Sequence, residues 1–236
     1  MKKKVILITL GLIFCGGAAA DEWQDRRVKM IEEIQSDMRA VTGSLLSVRV
    51  AAALGNVERH KFIPDHLQSR AYENRPLPIG EQQTISQPFI VAIMTELLDP
   101  KETDVILEIG TGSGYQAAVL AEIVRSVYSI EIIESLADDA ARRLRTLGYS
   151  NVSVRHGDGM KGWPGIQSFD GIIVTAAGIE IPQNLLERLK IDGKLVMPVG
   201  GVFEVQQLKV IERTSEGFIE RNVLPVRFVP ITDVVR

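Results

Sequence analysis

Residues 105–115, VILEIGTGSGY, constrain this chain more than any other stretch. Val105 to Ile109 is apolar except for Glu108, the pattern of a short buried strand. Gly110, Gly112 and Gly114 follow at alternate positions, and Gln116 to Ala121 reads as the opening of a helix. Strand, glycine turn and helix start together form a cradle for a nucleotide-like ligand at the carboxyl end of a parallel sheet. Glycine accepts positive φ and lets a ligand approach the main chain with no Cβ in the way.

The spacing is G-x-G-x-G, not the G-x-G-x-x-G of dinucleotide sites. Glu108 stands two residues before Gly110, where it would repel a pyrophosphate. A carboxylate there suits a ligand with a positive group, an ammonium or a sulfonium. Glu131 closes the next apolar run, about 21 residues after Gly110, where such folds place an acid that accepts two ribose hydroxyls. Asp158, in the turn His156-Gly-Asp-Gly159, is a third acid, suited to an adenine amino group. An adenosine with a charged amino acid tail satisfies all three, so the expected cofactor is S-adenosyl-L-methionine. The expected cofactor contacts are Glu108, Gly110, Thr111, Gly112, Gly114, Glu131, Asp158 and Gly159.

The 236 residues suffice for an α/β domain with a sizeable core. A net charge of -3, with no basic stripe, argues against a nucleic-acid partner. The amino terminus stands apart: Lys2–Lys4 is basic, Val5–Phe14 is apolar, and Ala18-x-Ala20 precedes Asp21. This is the pattern of a cleavable export leader over 1–20, too short to span a bilayer. Cleavage would place the protein in the periplasm, with no stable membrane association; a leader that is not used leaves a cytoplasmic protein. It would also remove Cys15, the only cysteine. His60, His66 and His156 lack ligand spacing, so no metal site is expected.

Two amphipathic helices are expected, over Trp23–Met38 and Ser47–Val57. A long irregular segment from His60 to Ser86 follows, punctuated by Pro64, Pro76 and Pro78, and then a helix over Gln87–Leu98. From Val105 strands and helices alternate, with strands at Ser126–Ile130, Val152–Arg155, Gly171–Val174 and Lys194–Val199. Helices are expected at Glu134–Leu147 and Pro182–Leu189, and a closing antiparallel pair at Val205–Ile211 and Phe218–Val226. The fold class is therefore α/β, a doubly wound, mostly parallel Rossmann-like sheet with an amino-terminal helical extension. Residues 21–98 would carry those helices and a substrate loop, and 99–236 the cofactor core, all within one structural domain. A segment as long as 60–86 in a compact chain is usually functional.

That segment contains Arg59-His-Lys-Phe-Ile-Pro64 and a run from Ala71-Tyr72 through Pro76-Leu-Pro-Ile-Gly80 to Gln83-Thr-Ile-Ser-Gln-Pro88. Farther on come Gly157-Asp-Gly-Met-Lys-Gly-Trp-Pro164, Phe169–Ala177, Pro198-Val-Gly200 and Val226-Arg-Phe-Val-Pro230. Across roughly 25–232 the chain resembles the protein-L-isoaspartate (D-aspartate) O-methyltransferases. The P-L-P-I-G…Q-T-I-S block is specific to that family. Asn74 stands where an acid is common there, and Gln82 where glycine is frequent.

The resemblance implies methyl transfer to the α-carboxylate of L-isoaspartyl, and by the family's description D-aspartyl, residues of damaged proteins and peptides. The ester then collapses to a succinimide. A carboxylate is already ionised at neutral pH, so no strong base is needed. The resemblance implies Ser86 as the active-site hydroxyl, assisted by Thr84. Pro78, Ile79, Gly80, Ile85, Val174, Thr175 and Ala176 would bind substrate. A monomer is expected. Competing readings are a methyltransferase of the same fold with another acceptor, and a binding module that has lost catalysis.

Overall fold

The computed structural model describes residues 18–201 and 203–231. The expected leader lies outside them but for Ala18–Ala20, which begin helix α1 (Ala18–Thr42). Helix α2 (Val48–Asn56) starts where Ser47 accepts a hydrogen bond from the Val50 N–H, 3.3 Å away. Two 3-10 turns follow, Arg59–Phe62 and Asp65–Arg70, then a hairpin of β1 (Leu77–Gly80) and β2 (Gln83–Ile85). The segment expected to be irregular thus holds real structure. Its two-residue turn, Glu81-Gln82, has φ of +51° and +60°, without the glycine or asparagine that usually marks such a turn.

Helix α3 (Pro88–Leu98) begins with proline, whose missing N–H costs nothing there. The next N–H, of Phe89, is capped from a distance by Asn74 Oδ1 at 3.0 Å. The Asn74 amide in turn donates to Asp37 on α1 at 2.8 Å. An acid at 74 could cap Phe89 equally well but would oppose Asp37. Asparagine at this position is therefore matched to its neighbour.

The core then alternates: β3 (Val105–Ile109), α4 (Tyr115–Ala121), β4 (Ser126–Glu131), α5 (Glu134–Thr146), β5 (Val152–His156), β6 (Phe169–Val174), α6 (Gln183–Leu186) and β7 (Leu189–Val199). Strands β8 (Gln206–Thr214) and β9 (Gly217–Val226) close the chain. The seven strands lie in the order β5-β4-β3-β6-β7-β8-β9. The first five are parallel, and β8 and β9 are added as antiparallel hairpins. The expected α/β class holds. The helix expected over Pro182–Leu189 shrinks to four residues, because Leu189 is taken by the sheet, paired with Phe169.

The two faces are unequal. Helices α1 to α4 pack on one, around Ile34, Leu54, Ile93, Ile106, Leu120 and Val127. The other is sealed by α6 and the Trp163 loop, around Leu107, Phe169, Ile172 and Leu186. Each such apolar side chain contributes roughly 1.5–3 kcal/mol when fully buried. Strand β3 is buried on both faces, so alternation cannot set its register. Glu108 can, since its hydrogen bond comes from Ser129, its partner across the β3/β4 ladder.

From β3 the chain moves one way to β4 and β5, then returns to β6 on the other side. That reversal opens a crevice above the carboxyl end of β3, the usual ligand position in such sheets.

Candidate active site

A cleft occupies this switch point. Its floor comes from the β3–α4 loop, and its walls from the ends of β4, β5 and β6. Thr84, Ile85 and Ser86 cover it from the hairpin side. The 59–86 segment and the glycine loop, far apart in other respects, thus share one cavity.

The glycine loop is bent by three positive φ angles, +94° at Gly110, +52° at Gly112 and +86° at Gly114. Gly110 is the most constrained. A Cβ there would overlap Thr175 Oγ1, which donates to the Gly110 carbonyl at 2.6 Å. The contact ties the end of β6 to the loop at the cleft floor. Gly159 is tight for another reason: a Cβ would run into the Ile109 side chain. Both are cradles that only a bare backbone can form.

Glu131 stands on the wall with its carboxylate held from both sides. Oε2 accepts from the Gly112 N–H at 2.7 Å and Oε1 from the Ile133 N–H at 3.1 Å. Each oxygen keeps lone-pair capacity for a further donor. Asp158 Oδ1 caps its own turn by accepting from the Met160 N–H at 2.9 Å, and the residue still borders the cleft. Ile132, Ile133 and Met160 give the space between these acids apolar sides. A vicinal diol beside Glu131 and a flat heterocycle among those apolar groups match this donor and acceptor set, so the residues fit an adenosyl cofactor.

Glu108 does not reach the cleft, which corrects its expected role. It is fully buried in β3, one layer beneath the floor. Ser129 Oγ donates to its Oε2, while Thr111, which lines the cleft, bonds Ser129 Oγ at 2.6 Å. Burial pushes the Glu108 carboxyl up to about 8, the nearby Glu131 charge adds to this, and the Ser129 bond opposes it. Burial thus favours the protonated carboxyl, and the side chain, which is not among the residues that line the cleft, does not meet a cofactor cation directly. Its link to the cavity is the Thr111–Ser129–Glu108 chain.

Other expected positions divide. Gly110, Thr111, Gly112, Glu131, Asp158 and Gly159 border the cleft, as do Thr175 and Ala176. Gly114 lies behind the loop, where a Cβ would press on Leu144. Pro78, Ile79 and Gly80 lie outside the cleft: Ile79 packs toward Gly112 from the far side of the loop. Val174 is fully buried inside β6, one residue short of the opening. For Val174 the reason is that adjacent residues of a strand face opposite ways.

Apart from lining residues such as Met94, Ile133 and Met160, three contributors were not expected from the sequence. Tyr115 and Gln116, the first turn of α4, border the cleft. So do Val229–Ile231, brought there when Ala177 N–H donates to the Val229 carbonyl at 2.8 Å and Ile231 N–H to the Ala177 carbonyl at 2.9 Å. The motif Val226–Pro230 was their available signal. The third is Arg59, fully buried behind Ser86. Its Nε donates to the Ala71 carbonyl at 2.8 Å and its Nη2 to the Ser86 carbonyl at 2.7 Å. Ser86 is not the cap of α3; Gln87 occupies that position and makes no side-chain capping bond.

The family model described as protein-L-isoaspartate(D-aspartate) O-methyltransferase (PCMT) matches residues 28–236. The chain is 52% identical over 233 residues to protein-L-isoaspartate O-methyltransferase 2 of Syntrophobacter fumaroxidans, covering 97% of this chain and 94% of that protein. It is 51% identical over 214 residues to protein-L-isoaspartate O-methyltransferase 1 of Nitrosospira multiformis, covering 90% and 89%. Among solved structures, a protein-L-isoaspartate O-methyltransferase superposes with a TM-score of 0.77 at 26% identity, over 89% of this chain and 67% of that one. A Plasmodium falciparum beta-aspartate methyltransferase in complex with S-adenosyl-L-homocysteine has the same fold, with a TM-score of 0.71 at 22% identity over 86% and 98%. On the extent of these matches, the chain belongs to the protein-L-isoaspartate(D-aspartate) O-methyltransferase family.

Proposed function

We propose that this chain repairs damaged proteins by moving a methyl group from S-adenosyl-L-methionine to the α-carboxylate of L-isoaspartyl residues. The observation that supports it best is the shared cleft, in which Ser86 and Thr84 lie across from the glycine loop and Glu131. When bound, the cofactor would supply an electrophilic methyl carbon on a sulfonium: an O–C bond to the acceptor carboxylate would form as the S–C bond breaks, its electron pair staying with the thioether that leaves. No proton moves in that step, so the residues have other work. Glu131 would hold the cofactor's ribose through the lone pairs its backbone bonds leave free, and Thr111, Gly112 and Asp158 would fix its two ends. The Ser86 hydroxyl donates to the acceptor carboxylate and orients it, and Ile85 and Met94 exclude water from the approach. The methyl ester leaves and closes to a succinimide, with loss of methanol, without further help from the site.

The discriminating assay is labelled methyl transfer to an isoaspartyl peptide and to its aspartyl twin. Turnover confined to the isoaspartyl form is expected. Equal turnover, or cofactor binding with no turnover, would sink the repair reading.

The export leader is proposed on residues 1–20, with cleavage after Ala20, and the mature protein is proposed to act as a monomer. No helix among the described residues is long and apolar enough to cross a membrane. The mass of the mature amino terminus tests the first proposal, with a chain beginning at Asp21 expected and an intact Met1 overturning it. Sedimentation tests the second.

A further inference from the structure

The cleft has a charge problem. Glu131 and Asp158 border it, and among the described residues that line it there is no lysine or arginine. Its acceptor, on the function proposed above, is an anion. The buried cation beside Ser86 is Arg59. Its guanidinium stacks over Tyr115, 4.8 Å from the ring centroid, and Tyr115 lines the cleft.

Arg59 is an unusual structural arginine. Both of its bonds go to neutral carbonyls, those of Ala71 and Ser86. Its Nη1 and the neighbouring Tyr115 hydroxyl are both buried, and the only polar group offered to either is the other. Among the described residues no carboxylate offsets the guanidinium; the groups that favour its charge are Tyr115, in part through that side-chain contact, and Tyr72. Desolvation lowers it only to about 10, so it stays protonated at neutral pH. Burying a cation without a counter-ion is costly, and a neutral side chain of similar volume would ordinarily serve a core better. The cost has a use if the counter-ion arrives with the substrate.

We propose that Arg59 is the positioning cation of the acceptor subsite, holding Ser86 by its carbonyl and giving the cleft the positive potential that selects a carboxylate. It touches neither substrate nor cofactor. The inference rests on the carboxylate acceptor of the proposed function, and the experiment separates the two.

Two peptides are compared, one with an L-isoaspartyl residue and one with its α-carboxyl converted to the amide. Their dissociation constants are measured calorimetrically on the full chain saturated with S-adenosyl-L-homocysteine. The wild type is expected to favour the carboxylate. Arg59→Met is expected to reduce that preference about tenfold or more, with affinity for the amide peptide little changed, and Arg59→Lys to restore much of it. If Arg59 only staples the loop, Arg59→Met weakens both peptides alike and their ratio stays at the wild-type value, which overturns the proposal. Arg59→Gln keeps an amide donor for the Ser86 carbonyl and gives the same reading if the methionine variant does not fold. A wild type that binds neither peptide, or prefers the amide, refutes the carboxylate acceptor itself.

Discussion

The glycine loop and the hairpin segment meet across one cleft, but they are held there by different physics. The loop hangs from β3, β4 and β6, anchored by backbone bonds of the sheet and by the short reach of Thr175 and Glu131 from the adjoining strand ends. Gly110 N–H donates to the Ile130 carbonyl at 2.8 Å, and Thr175 N–H to the Ile109 carbonyl at 2.9 Å. The hairpin segment has no ladder to the main sheet. Side chains reaching across the chain hold it: Arg59 on the Ala71 and Ser86 carbonyls, and Asn74 between α1 and α3. The first arrangement makes a rigid cofactor floor. The second can be tuned residue by residue, which suits a surface that must accept varied damaged chains.

Substitutions should separate these regions. The largest effect is expected at Gly110→Ala. Its φ of +94° and the overlap with Thr175 Oγ1 give a strain of roughly 1–3 kcal/mol, and relief of that strain moves the loop. Cofactor binding by calorimetry should fall below detection or nearly so. Near wild-type affinity would show that the floor is less rigid than its hydrogen bonds imply.

A crossed pair comes next. Glu131→Ala should weaken cofactor binding by about 1.5–3 kcal/mol, the value of a hydrogen bond to a charged group. Ser86→Ala should lower turnover on an isoaspartyl peptide by a comparable amount, with the cofactor dissociation constant unchanged. Effects that spread to both readouts in both variants would dissolve the distinction between floor and cover.

The pH dependence of stability carries the floor's signature, opposed in the same window by His60, which burial holds below the free imidazole value. The Glu108 carboxyl lies at about 8 when folded, against 4.5 for the free group. Its contribution is fully present below pH 4.5 and is lost as pH rises through 8. The slope is about 1.4 kcal/mol per pH unit within that window, because the folded state holds a proton that the unfolded chain releases. Glu108→Gln should flatten this part of a denaturant-midpoint series between pH 5 and 8. An unaltered slope would mean that the proton sits elsewhere.

The smallest effect is expected in the cover. Gln82 has φ of +60° in the hairpin turn, a conformation that glycine adopts without penalty. Gln82→Gly should therefore stabilise the fold by up to ~1 kcal/mol, since left-handed backbone costs an ordinary residue about 1–2 kcal/mol and glycine's extra chain entropy takes part of that back. A lower melting temperature would show that the glutamine side chain has a compensating contact.

These two regions were also unequally legible. Strand β3, the glycine loop and the strand ending at Glu131 follow from local pattern, because a buried strand and a glycine turn are short-range features. The hairpin at 77–85 did not, because its turn uses Glu81 and Gln82 at positive φ in place of marker residues. Glu108 was misread for a related reason. A carboxylate next to a ligand loop looks like a ligand contact until the pleat shows that it faces Ser129. Val174 differs from its neighbour Thr175 by the same one-residue geometry, whereas Pro78, Ile79 and Gly80 lie together outside the cleft lining. Arg59 carried a motif position but no visible role, since its partners lie 12 and 27 residues away.

The sequence by itself determined the alternating core, the cofactor class and the family resemblance. All three rest on contiguous patterns whose physics is local: apolar periodicity, glycine conformational freedom and the spacing of acids after strands. Only the tertiary structure decided which side chains enter the cleft, that Glu108 is a buried acid whose protonated form is favoured, and that an arginine bound to two carbonyls stands behind Ser86. Facing, burial and charge compensation depend on what the rest of the chain packs against a residue, and no local pattern encodes that.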